Sequence, residues 1–225
     1  MLRLSRLVLA LVTLLALWPT LAIAQTKAGV VTTLQGSATA ARAALPQPVA
    51  LKFRDDVFQN DRIVTGDQSI VRMLLGGKAV VTVRERSSLT ITEVPGKSTI
   101  DLDVGKIAVA VAKEKMRPGE SIEVKTPNAV AAVRGTAFIV EVIRASASAD
   151  GAQLGVVTNI FNFVGELVAN FLSGQTFTMG PNNFAGALGP NPATFRNMTP
   201  AERQSAPAGL TRGAQTGSSA RPNIV

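Results

Sequence analysis

Two aspartates two positions apart, Asp101 and Asp103, lie in the alternating segment Thr99 to Val104, and side chains at that spacing share one face of a strand. Paired carboxylates so placed suit a hard-cation site or an acid/base pair, with a solvated outward face as the plain alternative. Asp55, Asp56 and Asp61 gather around Val57-Phe58-Gln59-Asn60 and form a second acidic group that could approach Ca²⁺. Beyond the carboxylates the repertoire is narrow. The chain has no histidine, cysteine or tyrosine, and its single tryptophan is Trp18. Ser/His/Asp and Cys/His mechanisms are excluded, and most transition-metal sites lose their usual ligands. Neither enzymatic activity nor a cofactor is expected.

Thr126–Val142 is apolar and β-branched but carries Arg134 beside Gly135. Glycine between two apolar β runs marks a bulge, a bend or a close backbone approach. Arg134 then points off the strand, either to pair with an acid or cap carbonyls, or to bind a ligand. A buried, unpaired charge would be too costly. Glu141, on the strand face opposite Phe138, is a candidate partner for a basic residue on a neighbouring strand. Phe161 and Phe163 share one face of an extended segment, as do Phe171 and Phe177. These four suit a core, a subunit contact or a ligand pocket, and form a partner-binding surface wherever they are exposed. Without tryptophan or tyrosine in that region, a carbohydrate-stacking surface is disfavoured.

The elements that must position these residues are short strands. Leu89 and Ile91, Ile100 to Val104, and Ile122 and Val124 alternate with polar neighbours, so each segment offers one face to a core. Ala79–Val83, Ile107–Val111 and Phe138–Val142 are apolar on both faces or nearly so and predict interior strands. Turn signals at Thr65-Gly66-Asp67, Gly76-Gly77, Pro95-Gly96-Lys97, Arg117-Pro118-Gly119 and Asp150-Gly151 divide them. An all-β domain over residues 25–180 follows, as a sandwich, barrel or coiled roll.

The ends differ from this middle. Residues 1–24 have the make-up of a secretory signal: Arg3 and Arg6, the apolar run Leu7–Leu17, then Ala22-Ile23-Ala24. Cleavage places the product in the periplasm or outside the cell, and an uncleaved inner-membrane anchor is the alternative. Residues 181–225 hold six of twelve prolines and predict a disordered, basic tail, with one capping-box signature at Thr199-Pro200-Ala201-Glu202. Residues 25–180 carry 17 basic against 14 acidic residues, interspersed in sign. That is a solvated surface and no nucleic-acid track, although the basic tail could touch anionic surfaces weakly.

Asp61-Arg62-Ile63-Val64-Thr65-Gly66, then Gly105-Lys106-Ile107, then Thr126-Pro127-Asn128-Ala129-Val130-Ala131-Ala132-Val133-Arg134-Gly135-Thr136-Ala137-Phe138 resembles, in order and spacing, the core of the ferric-dicitrate regulator (FecR) domain, closest over residues 58–142. The resemblance implies an extracytoplasmic wound β-roll, β-helix-like or sandwich-like domain. It gives structural roles to Asp61, Arg62, Thr65, Gly66, Gly105, Thr126, Pro127, Arg134, Gly135, Thr136 and Phe138. Regulatory relatives relay a receptor signal to a sigma factor through a cytoplasmic region, and nothing of that size precedes Leu7 here. An exported, stand-alone binding or scaffold module of the bacterial envelope, with a protein or polymer partner, is the expectation. A periplasmic relay component is the alternative.

Overall fold

The computed structural model describes residues 25–94, 96–144 and 155–204. The expected signal segment and residues 205–225 lie outside them. Among the described residues the strands are β1 (Lys27–Gln35), β2 (Ala38–Ala41), β3 (Val49–Ala50), β4 (Asp56–Phe58), β5 (Arg62–Thr65), β6 (Ile70–Leu75), β7 (Ala79–Val83), β8 (Ser88–Val94) and β9 (Lys97–Val111). They continue as β10 (Ser121–Lys125), β11 (Ala129–Val133), β12 (Ala137–Arg144), β13 (Val156–Val164), β14 (Leu167–Phe171), β15 (Thr176–Met179), β16 (Asn183–Leu188) and β17 (Thr194–Asn197). A helical turn at Lys113–Lys115 and the short helix α1 (Pro200–Gln204) are the other elements of the described residues. No helix of the described residues is long and apolar enough to cross a membrane.

The strands form two layers joined by β9, which is long enough to belong to both. Layer A runs β4-β1-β6-β7-β9-β12-β13-β16-β17. Layer B runs β3-β2-β5-β8-β9-β10-β11-β14-β15. Both grow in the same direction along the chain, so the fold is a flattened winding in which each segment rests on its sequence neighbours. Pairing is antiparallel except between β9 and β10, which gives a wound sandwich rather than a stack of parallel coils.

Alternation places one set of side chains between the layers. Met73, Val81, Ile107, Phe138, Val140 and Ile160 from layer A meet Ile63, Leu89, Ile100, Ile122, Leu167 and Met179 from layer B in one continuous core. The runs that are apolar on both faces, β7, the second half of β9, and β12, are consecutive strands in the middle of layer A.

The expected boundary at residue 180 is corrected. Residues 183–197 are not tail: β16 pairs with β13 from Val157↔Leu188 to Asn162↔Asn183, and β17 pairs with β16. Composition points elsewhere because Asn183–Leu188 is rich in alanine, glycine and asparagine. Its ladder needs little side-chain area, because β13 already offers a row of backbone donors and acceptors. The capping box at Thr199 forms: the Glu202 carboxylate accepts from the Thr199 N–H at 2.7 Å, and the Glu202 N–H donates to Thr199 Oγ1 at 3.3 Å.

Candidate functional site

The motif residues of the sequence collect where the chain passes from one layer to the other. Gly105 lies at the bend of β9 with φ of +99°, and a Cβ there would come within 2.5 Å of Ser87 Cα. Gly135 joins β11 in layer B to β12 in layer A with φ of +81°, and a Cβ would lie 2.5 Å from Lys113 Cβ. Both positions need a residue without a side chain for two reasons, the left-handed backbone and the close neighbour. Hydroxyl groups tie adjacent crossings together. Thr65 Oγ1 donates to the Arg84 carbonyl at 2.6 Å and accepts the Ser87 N–H at 3.0 Å. Ser69 Oγ accepts the Ser37 N–H, and Gly66 abuts Ser37. Arg134 projects from this seam, exposed, and its guanidinium makes a long 3.4 Å contact to the Arg117 carbonyl. It has no carboxylate partner among the described residues.

The remaining motif residues anchor turns and core. Asp61 is buried, and its carboxylate accepts from Arg42 Nε at 3.1 and 3.2 Å and from the Phe58 N–H at 3.0 Å. Arg42 also donates to the Asp56 carbonyl and lies over the Phe58 ring at 4.6 Å. Asp56 pairs with Lys27, and Asp55 accepts the Lys52 N–H at 2.7 Å. This acidic group is therefore dispersed over three separate partners. Arg62 pairs with Asp103 at 3.1 Å on the outer face of layer B, and Asp101 is half-buried on the same face. Phe138 is fully buried in the core, and Thr136 is buried with its hydroxyl unpartnered.

Thr126, Pro127 and Asn128 form a turn at the opposite end of β11 from the seam. Thr126 Oγ1 accepts the Ala129 N–H at 2.9 Å, and the buried Asn128 side-chain amide donates to the carbonyls of Val156, Ala187 and Gly189 at 3.1 to 3.2 Å. Thr158 Oγ1 donates to the Asn128 side-chain oxygen. Asn162 does the same at the other end of β13, donating to the carbonyls of Gly165, Met179 and Gly180. Neither asparagine carries a signal in sequence beyond being polar in an apolar run.

The four phenylalanines separate. Phe171 is in the core, with Phe177 edge-on to it at 5.9 Å and Phe195 stacked beyond at 5.1 Å. Phe161 and Phe163 lie on the outer face of layer A, half-buried, over Ala108, Ala137 and Ile139. The strand register builds a transverse row there: Thr82, Ala108, Ile139, Phe161, Phe184 and Arg196 are successive cross-strand partners over six strands. Two residues along each strand, Lys106, Glu141, Asn159, Gly186 and Thr194 form a parallel polar row. Glu141 pairs with Lys106 at 2.8 Å. Phe161 and Phe184 pack at 5.0 Å, and the Arg196 guanidinium covers Phe184 at 4.1 Å.

Arg196 is held by two hydrogen bonds to Glu202, at 2.7 and 2.8 Å. Those bonds, and then the Thr199 N–H, pull the Glu202 carboxyl down from 4.5 to about 2. Glu202 thereby walls a cleft of about 210 Å³ whose other lining is Arg84, Lys106, Ala108, Ile139, Phe161 and Phe163. Shallower hollows adjoin it on both sides, one beside Arg84 and Arg144, the other beside Phe184 and Gly186.

The chain is similar to known proteins in one segment. Two crystal structures of a candidate anti-sigma factor from Parabacteroides distasonis ATCC 8503, at 2.50 and 1.65 Å resolution, each align at 16% identity and a TM-score of 0.49. Each alignment covers 61% of this chain and 59% of that one, so the match spans less than two thirds of that protein. No curated protein matches the chain. Residues 61–159, from the Asp61 turn through β12 and into β13, match the family described as FecR protein.

Proposed function

We propose that the FecR domain of this chain is an exported, non-catalytic binding module of the bacterial cell envelope, and that it engages a protein partner through the outer face of layer A. The observation that carries this reading is the row Ala108, Ile139, Phe161, Phe184 and Arg196, which places aromatic rings and a guanidinium around a preformed cleft. Aromatic and arginine side chains around a small pocket supply most of the energy of protein interfaces. The acidic groups offer no comparable reaction centre, because Asp61, Asp103, Glu141 and Glu202 are each engaged by a basic side chain.

A photo-crosslinking residue at position 163, carried by the chain in its native cell, is expected to give a discrete protein adduct that the same residue at position 134 does not give. Equal adducts at both positions, or none at 163, would overturn the reading. The FecR match favours a second reading, a component that relays a receptor signal toward a sigma factor. In that case deleting the gene changes transcription of neighbouring iron-uptake or sigma-factor genes, and unchanged transcription rejects it.

A further inference from the structure

The charges around the cleft are unequally satisfied. Glu141 is engaged by Lys106 and by the Asn159 side-chain amide at 3.4 Å, and Glu202 by Arg196 and Thr199; Glu85, in the adjoining hollow, accepts the Gln68 N–H at 2.9 Å and has no ion pair among the described residues. Arg84 lines the cleft, is exposed, and has no ion pair among the described residues; Arg144, in the adjoining hollow, has none either. Lys106 retains exposed surface despite its pair with Glu141, with 43% of its side chain accessible. Two guanidinium groups without an ion pair, Arg84 and Arg144, against one such carboxylate, Glu85, leave the rim net positive, and the floor between is apolar.

Size restricts the occupant further. The cleft proper holds about 210 Å³, below the roughly 300–1,000 Å³ typical of sites that enclose a whole small ligand, and it shares Arg84 and Lys106 with a hollow of about 570 Å³ that is too open to enclose one. The cleft has room for one large side chain of something that remains mostly outside. The polar row lies about 7 Å from the apolar row, two residues along a strand. An apolar residue and an acidic neighbour in a peptide span that distance.

We propose that the cleft seats one large apolar side chain of a partner protein's acidic segment, with a neighbouring carboxylate of that segment bound by Arg84 and Lys106. This rests on the binding-module reading above and names the chemistry of the partner. Arg84 gives specificity for charge, and the Phe161–Phe163 floor gives most of the contact area. A membrane surface would supply negative charge too, but a shallow cleft gives an acyl chain no channel to enter.

The test is fluorescence anisotropy with the whole chain and three labelled peptides, each carrying one Leu-Phe pair flanked by Glu, Gln or Lys. The Glu peptide is expected to bind about tenfold more tightly than the Gln peptide, and the Lys peptide not at all. Arg84→Glu should weaken the Glu peptide about tenfold, while Arg134→Glu, an exposed charge on the seam, should change it less than about twofold. Both positions are exposed, and a melting curve for each variant verifies folding. Equal binding of the three peptides, binding of none, or equal effects of the two substitutions would overturn the proposal. So would phosphatidylglycerol vesicles that bind in an Arg84-dependent way when the Glu peptide does not. A position-163 adduct in cells combined with peptide failure removes the acidic partner and leaves the binding module standing; loss of both removes both.

Discussion

Along the seam where the chain passes between its layers, contacts are made by backbone, hydroxyls and absent side chains; across the outer face of layer A they are made by rings and guanidinium groups. At the seam, Thr65, Ser69 and Ser87 each use their hydroxyl on a neighbouring crossing, and Gly105 and Gly135 leave no room for anything larger. On the outer face, Ala108 and Gly186 keep hollows open between large neighbours, and Arg84 has no ion pair among the described residues. A region whose hydroxyls and glycines are spent on its own neighbouring crossings holds a shape. One that leaves a cation and apolar surface at the rim of a cleft is built to meet something else.

Substitutions can break this contrast, and the largest effect belongs to the seam. Gly105→Ala adds a Cβ 2.5 Å from Ser87 Cα at φ +99°, and backbone must move to admit it. A loss of about 3 kcal/mol or more is expected by chemical denaturation. A value under about 1 kcal/mol would mean that β9 bends without needing this glycine. Asn128→Ala removes the amide shared by three carbonyls and the acceptor of the buried Thr158 hydroxyl, and should cost about 2 kcal/mol. Gly135→Ala meets side-chain atoms of Lys113 first, which can yield in part, so about 1–2 kcal/mol is expected by thermal melting. A melt equal to the parent's would separate Gly135 from Gly105 and divide the seam in two.

The two regions are also unequally legible in the amino-acid sequence. Seam positions stand out to different degrees: Gly135 interrupts a β-branched run, where a bend is the economical explanation, Gly66 falls in a turn signal, and Gly105 is marked only by the resemblance to the FecR domain. The core faces of β8, β9 and β10 follow from strict alternation. Glu202 is legible as an N3 cap because the capping box is a relation over three residues. The outer-face row is not legible, since it depends on the register of six strands. Phe161 and Phe163 can be placed on one face, but nothing local joins them to Ala108, Phe184 or Arg196. For the same reason their spacing alone groups Phe171 and Phe177 with them, although the winding sends β14 and β15 to layer B. The partners Arg42 for Asp61 and Lys106 for Glu141 lie 19 and 35 residues away in sequence, and only pairing brings them close.

The clasp between Arg196 and Glu202 lies between the extremes, because it organises the cleft through a surface ion pair. Its carboxyl titrates near 2 in the folded chain against 4.5 ordinarily. A depressed carboxyl stabilises the fold above its unfolded value and loses that contribution as pH falls through the folded one. The stabilisation is therefore complete above about pH 5 and is lost between 4.5 and 2. Arg196 is 39% exposed and Glu202 25%, so solvent screening limits the pair to about 0.5–1 kcal/mol. Glu202→Gln should lower stability by that amount at neutral pH, and the difference between parent and variant should vanish near pH 2. A difference that persists there would assign the effect to the helix cap instead of the charge.

The smallest stability change should come from the residue that matters most to binding. Phe163 is half-buried on the outer face and packs on Ala108, Ala137 and Ile139, apart from the main core. Phe163→Ser removes a partly exposed ring whose neighbours are small, so unfolding should shift by only about 0.5 kcal/mol. Affinity for the Glu peptide should nevertheless fall about tenfold, because a truncated floor leaves the seated side chain without its contact surface. If the substitution instead unfolds the chain as readily as Gly105→Ala does, the outer face is a second core, and the division between a region that holds shape and one that binds would collapse.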